Sequence, residues 1–164
     1  MGAIHSSIPT KLANELRREY GLTVFVESGL AQGTSALWAE AHFNNVISIE
    51  ISAEAVYNFK VAHDESAIKT IVGDSGQEMI GIVSGLPVPA LFWLDGHTDD
   101  YTPILAELSA INTSPLRHVI MIDDWRMFGT CPAWPSRESV LEFAINGVAR
   151  KAAEIDDVLV VTPN

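Results

Sequence analysis

Short apolar runs that each end in an acidic residue constrain this sequence more than any other feature. The acids that end the five runs are Glu27, Glu50, Asp74, Asp95 and the pair Asp123 and Asp124. Nearly continuous apolar runs are typical of parallel strands that are covered by helices on both faces. Ligands of such sheets bind in a crevice outside the carboxyl ends of the strands. We therefore expect these acids to line one crevice, where they can meet hydroxyls, an amine or a metal ion.

Helical segments alternate with these runs along the chain. The predicted helices are 8–20, 34–43, 53–61, 78–84, 102–112 and 136–153, and the predicted strands are 23–27, 46–51, 68–73, 90–95, 118–123 and 158–161. Such regular alternation implies β–α–β units and a parallel sheet. The sequence therefore predicts one α/β domain over residues 1–164, a doubly wound, mostly parallel sheet with helices on both faces. A mixed α+β domain is the alternative.

Charge, hydropathy and cysteine content exclude several classes of function. Lys and Arg number 10 against 21 Asp and Glu, a net charge of −11 that disfavours a nucleic-acid partner. No apolar run approaches the roughly 18 residues of a membrane span, and the amino terminus lacks the pattern of a signal peptide. Cys131 is the only cysteine, so an intramolecular disulfide is excluded and a cytoplasmic location is expected.

A glycine-containing turn follows the first predicted strand and reads Glu-Ser-Gly-Leu-Ala-Gln-Gly-Thr over residues 27–34. Gly29 and Gly33 let the backbone turn sharply and approach a ligand closely. The dinucleotide pattern Gly-x-Gly-x-x-Gly is not matched, because Ala31 and Thr34 stand at two of its three glycine positions. The Gly-Lys-Ser/Thr of a P-loop is absent as well. The turn therefore does not predict a pyrophosphate site.

The spacing Glu-x-Gly-x-x-x-Gly resembles motif I of the class I methyltransferases that use S-adenosylmethionine (SAM), with Ala31 in place of the middle glycine. Glu50 ends the second strand about 20 residues later, where an acid that binds ribose hydroxyls is expected. Asp74 and Ser75 stand where that superfamily commonly contacts adenine, although a simple turn would have the same sequence. The resemblance implies a SAM site formed by Glu27, Gly29, Gly33, Thr34, Glu50, Asp74 and Ser75.

The downstream half is similar to one branch of that class, the macrocin O-methyltransferase family, which is grouped with cephalosporin-hydroxylase-like proteins. The similar segments are Ala-Leu-Phe-Trp-Leu-Asp-Gly-His at 90–97 and His-Val-Ile-Met-Ile-Asp-Asp-Trp-Arg-Met-Phe-Gly at 118–129, and the resemblance covers roughly residues 20–130. It implies a Mg²⁺ site. Neighbouring strand ends lie about 5 Å apart, so three carboxylates can converge on one hard cation. These expected metal ligands are Asp95, Asp123 and Asp124; helix caps or solvated loop acids are the alternative.

His97 stands where that branch tends to carry an acidic residue that is a candidate base. A neutral imidazole can accept a hydroxyl proton at physiological pH. A loop histidine without a role is the alternative for this position. The candidate catalytic residues are therefore His97 and Asp95.

Together these features predict a Mg²⁺-assisted, SAM-dependent O-methyltransferase that acts on a small hydroxylated acceptor, either sugar-like or a vicinal diol. Members of the resembled family are usually longer and end in an antiparallel strand pair. Here only 158–161 is evident, which predicts an incomplete pair and a pocket that a homodimer could complete. A catalytically degenerate nucleoside- or metal-binding domain of the same fold is the alternative. A nicotinamide-dependent oxidoreductase ranks lower, because its glycine pattern is missing.

Overall fold

The computed structural model describes residues 6–146 and 149–164, and helices and strands alternate as the sequence predicts up to the last described helix. Their order is α1 (Thr10–Glu19), β1 (Val24–Ser28), α2 (Thr34–Glu40), β2 (Asn45–Glu50), α3 (Ala53–Ala62), β3 (Lys69–Val72), α4 (Ser75–Ser84), β4 (Ala90–Leu94), α5 (Ile104–Asn112), β5 (Val119–Ile122), a 3₁₀ helix (Trp125–Met127), α6 (Arg137–Ile145), β6 (Arg150–Ile155) and β7 (Val158–Pro163). None of these helices is long and apolar enough to cross a membrane.

The strands of the described residues form one mixed sheet in the order β3-β2-β1-β4-β5-β7-β6. Strands β1 to β5 are parallel, whereas β7 runs antiparallel to both of its neighbours. After β1 the chain adds β2 and β3 on one side of it, and then adds β4 and β5 on the other side. The strand order therefore reverses between β1 and β4. A ligand crevice is therefore expected outside the carboxyl ends of these two strands. The predicted doubly wound α/β fold is confirmed.

Two apolar cores cover the two faces of the sheet. Side chains such as Val26 and Phe92 pack with α4, α5 and α6 on one face, and Phe25 and Trp93 pack with α1, α2 and α3 on the other. Alternate residues of β1 and β4 thus enter opposite cores, and both strands are buried along their whole length. This two-sided burial explains why their sequences are continuous apolar runs.

The carboxyl-terminal region corrects two predictions. The helix predicted over 136–153 ends at Ile145, and Arg150–Ile155 is the strand β6, paired antiparallel with β7. The part of that prediction that covers 147–148 lies outside the described residues. The Lys-Ala-Ala-Glu sequence of β6 has good helix propensity, but pairing with β7 overrides this local preference. The terminal strand pair is therefore complete, and the prediction of an incomplete pair is wrong.

Helix α4 begins at Ser75, three residues before the predicted start at Glu78. The reason is a helix cap, because the Asp74 side chain accepts a hydrogen bond from the backbone N–H of Gly76 at 2.8 Å. An aspartate in this position satisfies one of the N–H groups that a helix start leaves without a partner. The cap fixes the Asp74 carboxylate at the carboxyl end of β3, beside the expected crevice.

A buried histidine connects β4, β5 and the loop that follows α5. His118 is 0% exposed. Its Nδ1 accepts the backbone N–H of Ala90 at 3.0 Å, and its Nε2 lies 2.9 Å from the hydroxyl oxygen of Ser114. Burial lowers the pKa of His118 to about 4, and the positive charge of Arg150 contributes in the same direction. The imidazole is therefore neutral in the folded protein at neutral pH.

We expect His118 to make the fold sensitive to acid. Its pKa is lower in the folded than in the unfolded chain, so its contribution to stability is present above about pH 6.5 and is lost as the pH falls towards 4. The advantage of the wild type over His118→Asn should shrink by about 2 kcal/mol between pH 7 and pH 4.5. Urea unfolding of both proteins at the two pH values measures this, and the exposed His42→Asn controls for the loss of one imidazole. An advantage that does not change with pH would contradict the assignment.

Candidate functional site

A groove opens at the carboxyl ends of the central parallel strands. Six of the predicted site residues line it, namely Gly29, Glu50, Asp74, Ser75, Asp95 and His97. Ala31, Thr98 and Tyr101 are also part of its wall. Six acids were predicted to line one crevice. Three of them line this groove, Glu50 at the end of β2 and Asp74 and Asp95 just after β3 and β4, whereas Glu27, Asp123 and Asp124 do not. The groove lies at the reversal of strand order, where an open α/β sheet binds its ligands.

Glycine is required where β1 and β4 approach each other. Gly29 has a φ of +90°, and a Cβ on it would lie 2.8 Å from the carbonyl oxygen of Asp95. A side chain at this position would therefore clash with backbone. Two residues on, Ala31 adopts a φ of 46°, which is the left-handed region. The turn thus places a methyl group in the groove wall at a position that glycine adopts more readily.

The Glu50 carboxylate at the end of β2 joins the glycine turn to the start of α3. Its Oε2 accepts the backbone N–H of Ala31 at 3.0 Å, and its Oε1 accepts the backbone N–H of Ser52 at 2.9 Å. A carboxylate oxygen has two lone-pair sites, so each oxygen retains the capacity to accept another hydrogen bond. Glu50 is thus held in a fixed position with acceptor capacity towards the groove.

The Asp74 carboxylate receives hydrogen bonds from two directions. Besides the cap bond from Gly76, its Oδ2 accepts the phenolic hydroxyl of Tyr101 at 2.9 Å. Tyr101 belongs to the loop between β4 and α5, and its backbone pairs with that of Thr98 in an isolated bridge. This contact closes one wall of the groove. Tyr101 was not predicted as a site residue, because a loop tyrosine gives no sequence signal of its partner.

Three residues of the predicted cofactor set lie outside the groove lining. Glu27 is 0% exposed, and its Oε1 accepts the Ser48 hydroxyl at 2.6 Å. Burial raises the pKa of Glu27 to about 8, although the hydrogen bond from Ser48 opposes this shift. Gly33 is buried against the Phe59 ring, and Thr34 is an exposed residue in the first turn of α2. Glu27 therefore lies in the interior beneath the groove, while Gly33 and Thr34 shape the start of α2.

Two carboxylates and an imidazole converge at one end of the groove. The Nε2 of His97 lies 3.4 Å from Oδ1 of Asp95 and 3.1 Å from Oδ2 of Asp124. One donor atom from each residue lies within 4.8 Å of the others. Asp123 does not belong to this group; it is buried and lines a small adjoining cavity. The cluster thus combines two predicted metal ligands with His97.

The charges of this cluster stabilise one another. Burial opposes a positive charge on His97, but hydrogen bonds to Asp124 and Asp95 outweigh it and raise the pKa of His97 to about 9. The hydrogen bond from His97 lowers the pKa of Asp124, and Arg126 adds to this effect. Burial raises the pKa of Asp95, because it exceeds the stabilisation that His97 provides. Without a bound cation, the cluster holds an imidazolium between two carboxyl groups at neutral pH.

The turn between β6 and β7 contacts the cluster through one arginine. Arg126 donates from Nη1 to Oδ1 of Asp124 at 2.8 Å and also forms an ion pair with Asp157 in the turn. Asp157 also accepts the backbone N–H of Arg126 at its Oδ1 and that of Trp125 at its carbonyl oxygen. The first turn of the 3₁₀ helix is thereby fixed to the hairpin. Neither the pairing of Asp157 nor the hairpin was predicted from the sequence.

An aromatic side chain covers the cluster on the side of the smaller cavity. The Trp134 ring contacts the His97 ring edge to face, with centroids 4.6 Å apart. Its Nε1 donates to the backbone carbonyl of Thr98 at 3.2 Å. Trp134 is buried and also packs against Phe128. The loop that carries Trp134 therefore contacts both the cluster and the loop after β4.

A buried glutamate of α5 lies beneath the groove. Glu107 is 1% exposed, and the hydroxyls of Ser75 and Ser28 hydrogen-bond to its carboxyl group. These bonds lower its pKa, but burial outweighs them and raises the pKa of Glu107 to about 7. Glu107 thus connects the start of α4 to the end of β1. The sequence contains a signal for the burial of Glu107, because this residue falls on the apolar helix face that Ile104 and Leu108 define at helical spacing.

The fold is shared with SAM-dependent methyltransferases of known structure. Solved structures of such enzymes superpose on this chain. An O-methyltransferase from Bacillus cereus with bound S-adenosylhomocysteine (SAH) is 15% identical, with a TM-score of 0.72, 98% of this chain covered and 84% of that one. TomG, an O-methyltransferase from Streptomyces achromogenes solved with SAM, is 16% identical, with a TM-score of 0.68 and coverages of 94% and 79%.

CalS10 from Micromonospora echinaspora, an amino pentose methyltransferase solved with SAM, is 11% identical, with a TM-score of 0.69 and coverages of 94% and 89%. No protein-family model matches the sequence, and no curated protein matches it. At these identities the likeness establishes the fold, which agrees with the methyltransferase resemblance seen in the sequence.

We expect Glu107→Gln to stabilise the protein at alkaline pH. Because the folded pKa of Glu107 is raised, its contribution to stability is present below about pH 4.5 and is lost as the pH rises through 7. Glutamine keeps a hydrogen-bond acceptor and cannot ionise. The gain in unfolding free energy over wild type should be near zero at pH 4.5 and reach up to about 3 kcal/mol at pH 8.

Chemical unfolding at both pH values measures this difference, and the exposed Glu142→Gln controls for the loss of one carboxyl group. A Glu107→Gln variant that is equally destabilised at pH 4.5 and pH 8 would show that the buried carboxyl group does not change its charge in this range.

Proposed function

We propose that this protein is a SAM-dependent O-methyltransferase, assisted by a divalent cation, whose acceptor is a small sugar-like molecule or vicinal diol. One observation carries this proposal. The groove at the reversal of strand order has fixed carboxylates at the ends of β2 and β3, and a cluster of three metal-binding donors adjoins it at the ends of β4 and β5. The carboxylates of the groove suit the hydroxyls of a nucleoside, and the donor cluster suits an acceptor held beside that nucleoside.

Glu50 and Asp74 form the cofactor side of the proposed site. Both carboxylates are fixed by hydrogen bonds from the protein, so they need little rearrangement to receive a ligand. In this proposal Glu50 accepts hydrogen bonds from the ribose hydroxyls, and Asp74 and Ser75, which also line the groove, contact the adenine. The close approach of Gly29 to the backbone of Asp95 brings the glycine turn and the end of β4 together in the wall of the groove. SAM, when bound, supplies an electrophilic methyl group on a sulfonium sulfur.

Asp95 and Asp124 form the acceptor side of the proposed site. Their carboxylate oxygens fit the oxygen preference of Mg²⁺, which is the ion that the sequence predicts. Asp123 remains a predicted ligand, although its side chain lies in the adjoining cavity. A bound divalent cation lowers the pKa of an acceptor hydroxyl and orients it. The protein then contributes mainly by positioning the acceptor oxygen in line with the methyl group.

The role of His97 as a base stays a prediction, and its surroundings do not favour it. Its Nε2 is already shared between Asp95 and Asp124, so this nitrogen is not free to accept the hydroxyl proton of an acceptor. A carboxylate is better suited to this step.

A catalytically degenerate domain of the same fold is the second candidate. The methyl group of Ala31 supports it, because the resembled motif has a glycine there and the residue lies in the groove wall. Such a domain would bind SAH and transfer no methyl group. The two experiments that follow separate binding from transfer, and so distinguish this candidate from an active enzyme.

Loss of the Glu50 carboxylate should weaken cofactor binding. We expect Glu50→Ala to raise the Kd for SAH about tenfold or more, because a charge-assisted hydrogen bond contributes about 1.5–3 kcal/mol. Glu50→Gln keeps one acceptor oxygen and should lose less. Isothermal titration calorimetry measures these affinities. Glu54→Ala, an exposed acid in the first turn of α3, is the matched control. Equal affinity in Glu50→Ala and wild type would place the ribose elsewhere.

Removal of divalent cations should abolish transfer and spare cofactor binding. We expect SAM to be converted to SAH in the presence of Mg²⁺ and a panel of catechols and monosaccharides, and EDTA to stop this conversion. Asp95→Asn should also stop it, because the substitution removes one carboxylate from the cluster. Mass spectrometry of SAH and of the methylated acceptor gives the readout. Turnover that is insensitive to EDTA would exclude a role for the cation.

A further inference from the structure

The donor cluster at the end of β4 has the spacing of a metal site. Ligands that are cis to each other in an octahedron of Mg²⁺ size lie about 3 Å apart, since metal–oxygen distances are about 2.0–2.1 Å. The Nε2 of His97 lies 3.4 Å from the Asp95 oxygen and 3.1 Å from the Asp124 oxygen. The Asp95 and Asp124 oxygens lie within 4.8 Å of each other, so the three donor atoms surround one shared point. This shared point lies at the groove, so it is accessible to an acceptor.

Neighbouring residues already orient each donor towards that point. Arg126 binds one oxygen of Asp124 at 2.8 Å, and the other oxygen faces His97. Trp134 packs against the imidazole ring and restricts its rotation. Asp95 follows β4 directly, so its backbone is fixed by the sheet; its N–H donates to the carbonyl of Ser28 at 3.2 Å. Metal sites of proteins depend on such surrounding contacts to hold their ligands.

We propose that His97 is a ligand of the cation, and that the site therefore prefers a first-row transition ion such as Mn²⁺ or Co²⁺ to Mg²⁺. Mg²⁺ binds oxygen donors almost exclusively, whereas imidazole nitrogen suits the transition ions. One imidazole beside two carboxylates therefore shifts the metal preference of the site from Mg²⁺ towards the transition ions. This inference rests on the cation-assisted function proposed above and gives His97 the role of ligand.

The competing explanation is a structural ion pair. An imidazolium held between Asp95 and Asp124 would produce the same distances in a protein that binds no metal. The two explanations differ in what they predict about nitrogen. A ligand gives a bond between the ion and the His97 nitrogen, whereas an ion pair gives none. A direct measurement of metal–nitrogen coupling therefore separates them.

The test uses the full chain with SAH, and the probes are Mn²⁺, Co²⁺ and Mg²⁺ alone. We expect pulsed electron paramagnetic resonance of the Mn²⁺ complex to show ¹⁴N coupling from one imidazole, and His97→Asp to abolish it. Calorimetric titrations should give a ratio of Co²⁺ to Mg²⁺ affinity that is about tenfold or more lower in His97→Asp than in wild type. His42→Gln, an exposed histidine near the end of α2, is the matched control and should retain both results.

The outcomes separate the two proposals. Mn²⁺ binding without ¹⁴N coupling, no metal binding, or an equal affinity ratio in wild type and His97→Asp would each overturn the inference about His97. The coupling measurement needs only the wild-type protein, so a variant that does not fold leaves the test intact. Calorimetry with SAH is performed on the same samples without metal. SAH binding in a protein that fails the metal test leaves the cofactor assignment standing, whereas failure to bind SAH overturns the proposed function itself.

Discussion

Backbone atoms of Gly29 and Asp95 lie so close that a Cβ on the glycine would stand 2.8 Å from the aspartate carbonyl oxygen. This contact brings the carboxyl ends of β1 and β4 together where the strand order reverses. The glycine turn begins there on one side, and the loop with Asp95 and His97 begins there on the other. The groove and the donor cluster are therefore neighbours because of one backbone contact. Any side chain at position 29 would separate them.

Two buried glutamates lie in the interior beneath this groove. Glu27 and Glu107 are almost completely buried, and burial raises the pKa of both towards or above neutrality. Their partners are serine hydroxyls, on β2 for Glu27, and at the end of β1 and the start of α4 for Glu107. Hydrogen bonds from these hydroxyls join β1 to β2 through Glu27, and join α5 to the end of β1 and the start of α4 through Glu107. Because folding raises the pKa of both carboxyl groups, we expect their contribution to stability to be lost as the pH rises through these pKa values.

The strands and the acids that follow them could be predicted because burial on both faces leaves a continuous apolar run, and the first polar residue marks its end. Which of these acids belong to the donor cluster could not be predicted, because the direction of a side chain after a strand depends on the local backbone conformation. Asp123 and Asp124 are adjacent, yet the left-handed φ of 50° at Asp124 turns only that side chain towards His97. Strand β6 escaped prediction for a similar reason, since its pairing with β7 is not visible in its local sequence.

The ion pair between Arg126 and Asp157 has a further consequence for how the chain tolerates change. The tight turn of the last hairpin lies outside the groove, but it fixes the arginine that orients Asp124. Opening of the hairpin at the edge of the sheet would release that arginine and one donor of the cluster with it. Local unfolding at the sheet edge and occupancy of the donor cluster are therefore thermodynamically linked. A ligand held by Asp124 would protect the amide hydrogens of a turn that it never touches.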